Sequence, residues 1–265
     1  MIRRFRRGAG RAPARPARPR SLRRSLAELV AALVALGVAA VLLVGPLTSS
    51  SAREPGVNVP VVATTTVDPK ALINRCVRGK IALTFDDGPG PYTPAVLAVL
   101  RAYRARATFF VLGNKVSPGQ DTLRMMVADG HVVGNHSWDH PHLADLTAAE
   151  IRSQLAETQS AITSVGVPAP ALLRPPFGSS GPVVGSVARS LGLRVSDWTY
   201  DSEDWRGRQP QDIAAAVVQH ARPGMVILLH DGAADATNTV RALPGIIEGL
   251  RARGFCTAAL PDPPR

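Results

Sequence analysis

Short apolar runs alternate with longer runs of helical periodicity between about residue 77 and residue 260. The short runs have the length and composition of buried strands, and the longer runs repeat their apolar positions as helices do. The predicted strands are residues 81–85, 107–112, 131–134, 171–174, 194–198, 225–230 and 255–260. The predicted helices are residues 93–103, 121–128, 148–165, 181–191, 211–221 and 239–251. This alternation indicates an α/β fold with a parallel sheet covered by helices.

Two helix starts carry local signals. Thr147 and Glu150 have the spacing of a capping box. Pro210 stands where a first-turn proline is favoured. The strand pattern by itself leaves open whether the sheet closes into a barrel or stays open as a doubly wound sheet.

Polar residues with catalytic chemistry follow these apolar runs. Each lies at or just beyond the carboxyl end of a predicted strand, which is the edge where parallel α/β folds bind ligands. They are Asp86, Asp87, His136, Arg174, Asp204 and His230. Adjacent acids at the end of a buried strand are costly unless a metal, a cation or a reaction uses them. An ordinary Asp-Gly turn is the alternative for Asp86 and Asp87 alone.

The positive charge of the chain is concentrated in its first residues. The net charge is +11, and residues 1–50 contribute +9 of it through ten arginines and the single acid Glu28. The rest of the chain is therefore nearly neutral, whereas a nucleic-acid-binding fold carries its basic residues on the folded surface. We therefore expect no nucleic acid among the partners.

An uninterrupted apolar run from residue 29 to residue 44 follows the arginines. As a helix it would rise about 24 Å, and about 28 Å with the next three residues, close to the ~30 Å of a bilayer core. We predict a basic disordered cytoplasmic tail over residues 1–28 and a transmembrane anchor over 29–47. An exported linker over 48–76 and a catalytic domain over 77–262 follow. A cleaved signal segment is the alternative, in which case the domain is secreted.

The two cysteines, Cys76 and Cys256, flank the predicted domain. Export permits a disulfide between them, and we favour that bond over two separate buried thiols.

The two histidines His136 and His140 have the spacing that places two imidazoles on one face of a helical turn. With Asp87 they form the ligand set of a catalytic zinc site, two nitrogens and one carboxylate with an open position. Asp86 would then be available as a base, with Arg174 as the cation beside it.

A proton donor is predicted on the other side of the site. His230 near a carboxylate such as Asp204 would stay protonated near neutral pH and could donate a proton. Trp205 offers an apolar platform on which a sugar ring can stack.

Five segments in this order resemble the motifs of the NodB-like polysaccharide deacetylases, carbohydrate esterase family 4. They are residues 84–89, 136–140, 174–177, 201–205 and 228–230. The resemblance covers about residues 80–260 and implies an irregular (β/α)7 barrel.

The resemblance also implies a role for each site residue. Asp86 would be the base, oriented by Arg174, and the metal would be held by Asp87, His136 and His140. His230 would be the acid, tuned by Asp204. The backbone N–H of Phe177 would bind the oxyanion, and Leu228 and Trp205 would line the acetyl pocket. Phe177 replaces a tyrosine that is frequent in the family, and activity should survive because only the N–H is used.

The resemblance implies a metal-dependent hydrolase that removes N-acetyl groups from N-acetylglucosamine residues of a cell-wall polysaccharide such as peptidoglycan or a chitin-like glycan. The expected metal is Zn²⁺, with Co²⁺ or another divalent ion as alternatives. An O-acetyl esterase of the xylan type uses the same machinery and remains open. A third alternative is an inactive membrane-tethered glycan-binding protein, which we disfavour because no ligand or base is missing.

Overall fold

The computed structural model describes residues 76–261. Its strands are β1 Lys80–Gly88, β2 Thr108–Val111, β3 Val132–Asn135, β4 Leu172–Leu173, β5 Arg194–Val195, β6 Tyr200–Asp201, β7 Val226–His230 and β8 Cys256–Ala258. Its α-helices are α1 Thr93–Ala102, α2 Gly113–Val116, α3 Gln120–Ala128, α4 Ala148–Ser164, α5 Pro182–Ser190, α6 Pro210–His220 and α7 Thr237–Ala252. Three short 3₁₀ turns occupy Leu143–Asp145, Pro176–Gly178 and Asp204–Arg206.

All strand pairings in the described residues are parallel, in the order β5-β4-β3-β2-β1-β7-β6. β8 pairs with the first residues of β1, on the side of β1 away from β7. Ala82 accordingly has two register partners, Val226 in β7 and Ala258 in β8. No pairing joins β5 to β6 within residues 76–261, so the sheet is an incomplete barrel that is open at that point. The predicted α/β class is correct, and the barrel is a partial one.

The long first strand separates two environments. Ile81, Leu83 and Phe85 are fully buried in the main apolar cluster, which lies between the sheet and helices that include α1 and α7. Ala82 belongs to a smaller cluster on the opposite face. Thr84 and Asp86, next along that face, are also buried. The inner face of the sheet is therefore apolar at the start of β1 and polar where the strand ends.

The predicted strands and helices are all present, and their boundaries are close to those expected. Thr147 and Glu150 form the predicted capping box at the start of α4, and Pro210 is the first residue of α6. The sequence analysis missed α2 and β6. With four and two residues, these elements are too short to show a periodicity.

The predicted anchor at residues 29–47, the tail at 1–28 and the linker up to residue 75 lie outside the described residues. Within residues 76–261, no helix has both the length and the apolar character that crossing a bilayer requires.

The first described residue is covalently tied to the last strand. Cys76 is joined to Cys256 by a disulfide with a Cα–Cα distance of 5.2 Å. This bond lies where β1 and β8 begin, which we call the amino edge of the sheet. The opposite edge, where β1, β3, β4 and β7 end, is called the carboxyl edge.

Candidate metal and catalytic site

The end of β1 brings both of its acids to one side. The pairing of β1 with β2 shifts register between Asp86 and Gly88, so Asp87 is an extra residue without a partner in that ladder. Its φ of 73° lies in the left-handed region, which non-glycine residues seldom adopt. The bulge breaks the alternation of side chains along the strand. As a result, the carboxylates of Asp86 and Asp87 both lie near the imidazole of His136, at 3.8 and 3.5 Å from its Nε2.

His136 follows directly after β3 and is buried, with 2% of its surface exposed. Its Nδ1 is 2.6 Å from the carbonyl oxygen of Arg174. That carbonyl can only accept, so Nδ1 carries a proton, and when the imidazole is neutral Nε2 has a lone pair available for a metal ion. The strand ends of β3 and β4 therefore fix both the orientation and the tautomer of this imidazole.

His140 reaches the same point through an irregular loop. Its Nε2 is 3.2 Å from Asp87 Oδ1, and its ring centroid is 5.0 Å from that of His136. The predicted helical turn is wrong, because the segment between the two histidines has no helical assignment and both Ser137 and His140 have positive φ.

Side chains on neighbouring elements hold this loop. The backbone N–H of Ser137 donates to Asn135 Oδ1 at 2.8 Å, and that of His140 donates to Ser137 Oγ at 3.2 Å. Gln154 on α4 accepts from the N–H of Trp138 at 2.8 Å. The two histidines that the helical spacing singled out do lie close together, but the loop between them is shaped by local hydrogen bonds and not by a helical turn.

Asp87, His136 and His140 could hold a metal ion, since their ligand atoms all lie within 4.8 Å of one another. Asp87 Oδ1 is buried and has no hydrogen-bond partner among residues 76–261. A buried carboxylate oxygen without a donor is expensive, and a cation between it and the imidazoles would remove that cost. Two neutral imidazole nitrogens and one carboxylate suit a divalent transition metal. The residues therefore fit the predicted metal.

The charge state of Asp87 agrees with this role. Burial acts to raise the pKa of its carboxyl group, but hydrogen bonds and positive charge from the imidazoles of His136 and His140 in their protonated form outweigh burial and hold the pKa well below its usual range. The carboxylate is therefore ionised at any pH at which the protein would function.

Asp86 is held by a buried arginine. Arg174 follows β4, is fully buried, and donates from Nη1 to Asp86 Oδ1 at 2.9 Å and to Thr84 Oγ1 at 2.7 Å. Its Nε donates to the carbonyl of Ser196 at 3.1 Å, and its guanidinium lies 4.2 Å from the ring centroid of Phe110. Arg174 and Asp86 thus form a buried ion pair next to the proposed metal position.

Thr84 was not predicted as a functional residue. Its hydroxyl accepts a hydrogen bond from Arg174 Nη1 at 2.7 Å and donates to the carbonyl of Ile227 at 2.6 Å. Its place two residues before Asp86 on the same face of β1 was the only available signal.

His230 ends β7 on the far side of Asp86, and the two residues are register partners. Its Nδ1 lies 2.8 Å from Asp204 Oδ1, and its backbone N–H donates to Asp204 Oδ2 at 2.8 Å. Thr239 on α7 donates to the same Oδ2 at 2.7 Å, a contact that the sequence gave no reason to expect. Asp204 is therefore buried, fully hydrogen-bonded and directed at the imidazole.

This contact changes the proton affinity of His230. Burial lowers the pKa of the imidazole, but the hydrogen bond and charge of Asp204, with smaller contributions from Asp86 and Asp87, raise it to about 9. His230 is therefore protonated at neutral pH and can act as a proton donor.

The rim of the site carries two exposed aromatic rings. Phe177, 59% exposed, lies in the 3₁₀ turn after Arg174 with φ of 58°, and its ring stacks on that of His142 at a centroid distance of 4.1 Å. Trp205 is 52% exposed and follows Asp204. Leu228 is buried in β7. Exposed aromatic faces flanking a polar centre suit the stacking of sugar rings.

All the predicted site residues except the cysteines thus lie at the carboxyl edge, and the disulfide is at the amino edge. The buried centre can hold a divalent cation, keep one free carboxylate beside it, and present a protonated imidazole opposite. This arrangement is suited to hydrolysis in which a water molecule loses a proton on one side and a leaving group gains one on the other.

Comparison with known proteins gives the same picture. Residues 75–196 match the family model described as polysaccharide deacetylase. The chain is 34% identical to a chitooligosaccharide deacetylase of Azorhizobium caulinodans, over 69% of this chain and 94% of that protein. It is 36% identical to the peptidoglycan-N-acetylglucosamine deacetylase PgdA of Listeria monocytogenes, over 71% of this chain but only 38% of the length of PgdA.

A solved structure matches at the level of the fold. The family 4 carbohydrate esterase from Streptomyces lividans in complex with acetate superposes with a TM-score of 0.65 at 37% identity, covering 68% of this chain and 92% of the esterase. The family resemblance read from the motifs is therefore confirmed, and the chain belongs to the NodB-like polysaccharide deacetylases, carbohydrate esterase family 4.

Proposed function

We propose that this protein is a metal-dependent hydrolase that removes N-acetyl groups from N-acetylglucosamine-type residues of a cell-wall polysaccharide and releases acetate. One observation carries the proposal: the ligand atoms of Asp87, His136 and His140 converge within 4.8 Å, next to an Asp86 that Arg174 holds at 2.9 Å. The similarity to peptidoglycan and chitooligosaccharide deacetylases supports the substrate class.

Asp87, His136 and His140 would hold the metal, most simply Zn²⁺, with Co²⁺ as an alternative. A divalent ion in this position supplies Lewis acidity, which polarises the acetyl carbonyl and makes water a better nucleophile near neutral pH. The remaining steps depend on the chain itself.

Asp86 takes the proton of the attacking water, because its carboxylate lies beside the metal position and Arg174 stabilises its charged form. The backbone N–H of Phe177 donates to the developing oxyanion. His230 then protonates the leaving amine, because its pKa of about 9 keeps it charged at neutral pH. Leu228 and Trp205 enclose the acetyl group and the sugar ring.

The compartment is also part of the proposal. We expect the catalytic domain to act outside the cytoplasm, attached through residues 29–47 or released if that segment is cleaved. The Cys76–Cys256 disulfide supports an oxidising compartment. Peptidoglycan is accessible there.

Acetate release by the full chain tests the proposal. The substrates are purified peptidoglycan, chitin oligomers and acetylated xylan, each with chelator and after re-addition of Zn²⁺ or Co²⁺. We expect release from the N-acetylated glycans, loss with chelator and recovery with metal. Asp86→Asn is the matched control, because it keeps the ligand set and removes the base. The substitution should lower the rate of acetate release about 10²–10⁴-fold.

Other outcomes have defined meanings. Faster release from acetylated xylan would replace the amide substrate with an ester. Tight glycan binding without acetate release, even with metal present, would overturn the hydrolase proposal in favour of a binding protein.

A further inference from the structure

A lysine at the carboxyl edge contacts the metal-binding segment without being one of its ligands. Lys115 lies in the short helix α2, immediately after β2, and is partly buried. Its Nζ donates to the carbonyl oxygen of Asp87 at 2.8 Å and to that of Gly232 at 3.1 Å. One ammonium group therefore joins the end of β1 to the segment that follows β7.

The Asp87 carbonyl needs such a donor because of the bulge. Asp87 has no register partner in the β1–β2 ladder, and its φ of 73° turns the backbone out of the strand. A left-handed conformation is strained for a non-glycine residue and persists only where its surroundings hold it in place. The Lys115 contact is on the residue whose side chain supplies the carboxylate ligand.

Gly232 approaches the same carbonyl very closely. A Cβ atom on Gly232 would lie 1.9 Å from the carbonyl oxygen of Asp87, so no other residue fits there without movement. The N–H of Gly232 also points toward the carbonyl of Asp86, at 3.3 Å. With the Asp87 and Gly232 carbonyls brought together, a cation between their oxygens offsets the repulsion of the two dipoles.

We propose that Lys115 is a positioning residue for the metal site: by clamping the carbonyls of Asp87 and Gly232, it fixes the left-handed backbone that directs the Asp87 carboxylate at His136 and His140. This inference rests on the proposed metal-dependent function and assigns a determinant of metal affinity that lies outside the ligand set.

The positive charge of Lys115 and its proposed positioning role lead to opposite predictions for metal affinity. A lysine ammonium close to a divalent ion repels it, so simple electrostatics predicts that removing the charge tightens metal binding. A clamp predicts that removing the lysine weakens metal binding, because the carboxylate loses its fixed direction. Replacing a residue that contacts a metal ligand, without being a ligand itself, typically changes metal affinity about 10–100-fold.

Zn²⁺ affinity of the full-length protein, measured by chelator competition, tests the proposal. Lys115→Met keeps the length of the side chain and removes charge and donors, and we expect binding to weaken about 10–100-fold. Lys115→Arg restores charge and donors and should recover most of the affinity. Arg124→Met, an exposed residue on α3, is the control for loss of one positive charge and should bind as the unsubstituted protein does.

The visible spectrum of the Co²⁺-loaded protein is a second measurement. A displaced carboxylate should change the ligand-field bands in Lys115→Met and leave them unchanged in Arg124→Met. Should Lys115→Met fail to fold, Lys115→Gln carries the same comparison, because it loses the charge and shortens the reach.

Unchanged or tighter Zn²⁺ binding by folded Lys115→Met would overturn the clamp while leaving the metal site intact. Failure of the unsubstituted protein to bind any divalent ion would instead overturn the proposed function itself.

Discussion

Several charged side chains are exposed at the amino edge of the sheet, and several are buried at the carboxyl edge. At the amino edge, arginines lie on the surface near the starts of strands and the ends of helices. They include Arg78, Arg101, Arg104, Arg106 and Arg222, all exposed. At the carboxyl edge, acids are buried or nearly so, including Asp86, Asp204 and Asp231. Exposed charges interact weakly and independently, whereas buried charges must be paired.

Arginines near the carboxyl ends of helices interact favourably with the helix dipole, which stabilises positive charge at the amino edge. Among residues 76–261, five of the six non-glycine residues with positive φ lie at the carboxyl edge, and Arg104 is the sixth. In this part of the chain, the buried side-chain atoms without a hydrogen-bond partner are carboxylate oxygens of Asp87 and Asp231 at the carboxyl edge and Nε2 of His131 at the amino edge. Backbone strain is therefore concentrated where a ligand is expected to bind. The predicted catalytic and metal-binding residues thus lie at one edge of the sheet, and the disulfide lies at the other.

The largest effect on turnover is expected from removing a metal ligand at the carboxyl edge. His136→Ala should lower activity by more than the ~100-fold that outer-shell substitutions cost, because the ion loses a first-shell nitrogen. Acetate release and bound metal per protein are the measurements. His220→Ala is the control, since the Nδ1 of this exposed histidine of α6 lies 2.8 Å from the carbonyl oxygen of Ala216 and the residue is outside the proposed ligand set. A fully active, metal-loaded His136→Ala protein would show that His136 is not needed to hold the metal.

The next largest effect is expected from Asp204→Asn. The charge and hydrogen bond of Asp204 overcome the effect of burial and raise the pKa of His230 to about 9. A proton donor works below its pKa, so activity should fall as pH rises through about 9. Without the carboxylate, the pKa should return to about 6.5 or below. The alkaline limb then moves to lower pH, and the rate at about pH 7.5 drops about tenfold.

The pH dependence of kcat measures this shift. A bound cation would offset the contributions of Asp86 and Asp87 but not the direct contact with Asp204, so the direction of the shift is preserved. Asp201→Asn is the control, because Asp201 accepts from the N–H of Glu203 and has no hydrogen bond or ion pair with His230 among the described residues. An alkaline limb that stays in place in Asp204→Asn would remove His230 from the role of acid.

Breaking the disulfide should change stability without changing turnover. The bond joins residues 180 positions apart, so its loss frees a long loop in the unfolded chain. We expect the free energy of unfolding to fall by about 2–5 kcal/mol. Urea unfolding of oxidised and reduced protein measures this, and a Cys76→Ala/Cys256→Ala protein controls for the reductant. Loss of activity in reduced but folded protein would show that the disulfide at the amino edge affects turnover as well as stability.

The smallest effect is expected at the exposed Arg101–Asp129 pair of the amino edge, where the closest N–O distance is 2.6 Å. Arg101→Gln should cost less than about 1 kcal/mol and leave kcat unchanged. The same substitution at Arg174 breaks a buried pair and should cost about 3–5 kcal/mol. Thermal unfolding of the two variants measures this difference. Equal losses of stability would contradict the expected contrast between the exposed and the buried pair.

Much of the fold follows from local pattern. The short apolar runs gave the strands, and Thr147 with Glu150 marked the start of α4 correctly. The strand ends also located the site, because parallel strands place their carboxyl ends on one edge. The two-residue β6 and the four-residue α2 escaped prediction, since so few positions carry no periodicity.

Several features of the site depend on contacts between distant residues. The bulge at Asp87 is held by Lys115 and Gly232, which come from other parts of the chain. The support of Asp204 by Thr239, and of Arg174 by Thr84, joins residues 35 and 90 positions apart. Such pairs leave no local trace in a single sequence.

The α/β class, the edge of the sheet where a site is expected and the residue types proposed for it were readable from the sequence, because periodicity and strand ends are local properties of the chain. The way those residues converge was visible only in the folded protein: which way the adjacent acids of β1 point, how His140 reaches Asp87, and which atoms hold them. These depend on a left-handed backbone and on long-range hydrogen bonds, whose energies exist only once the strands are side by side.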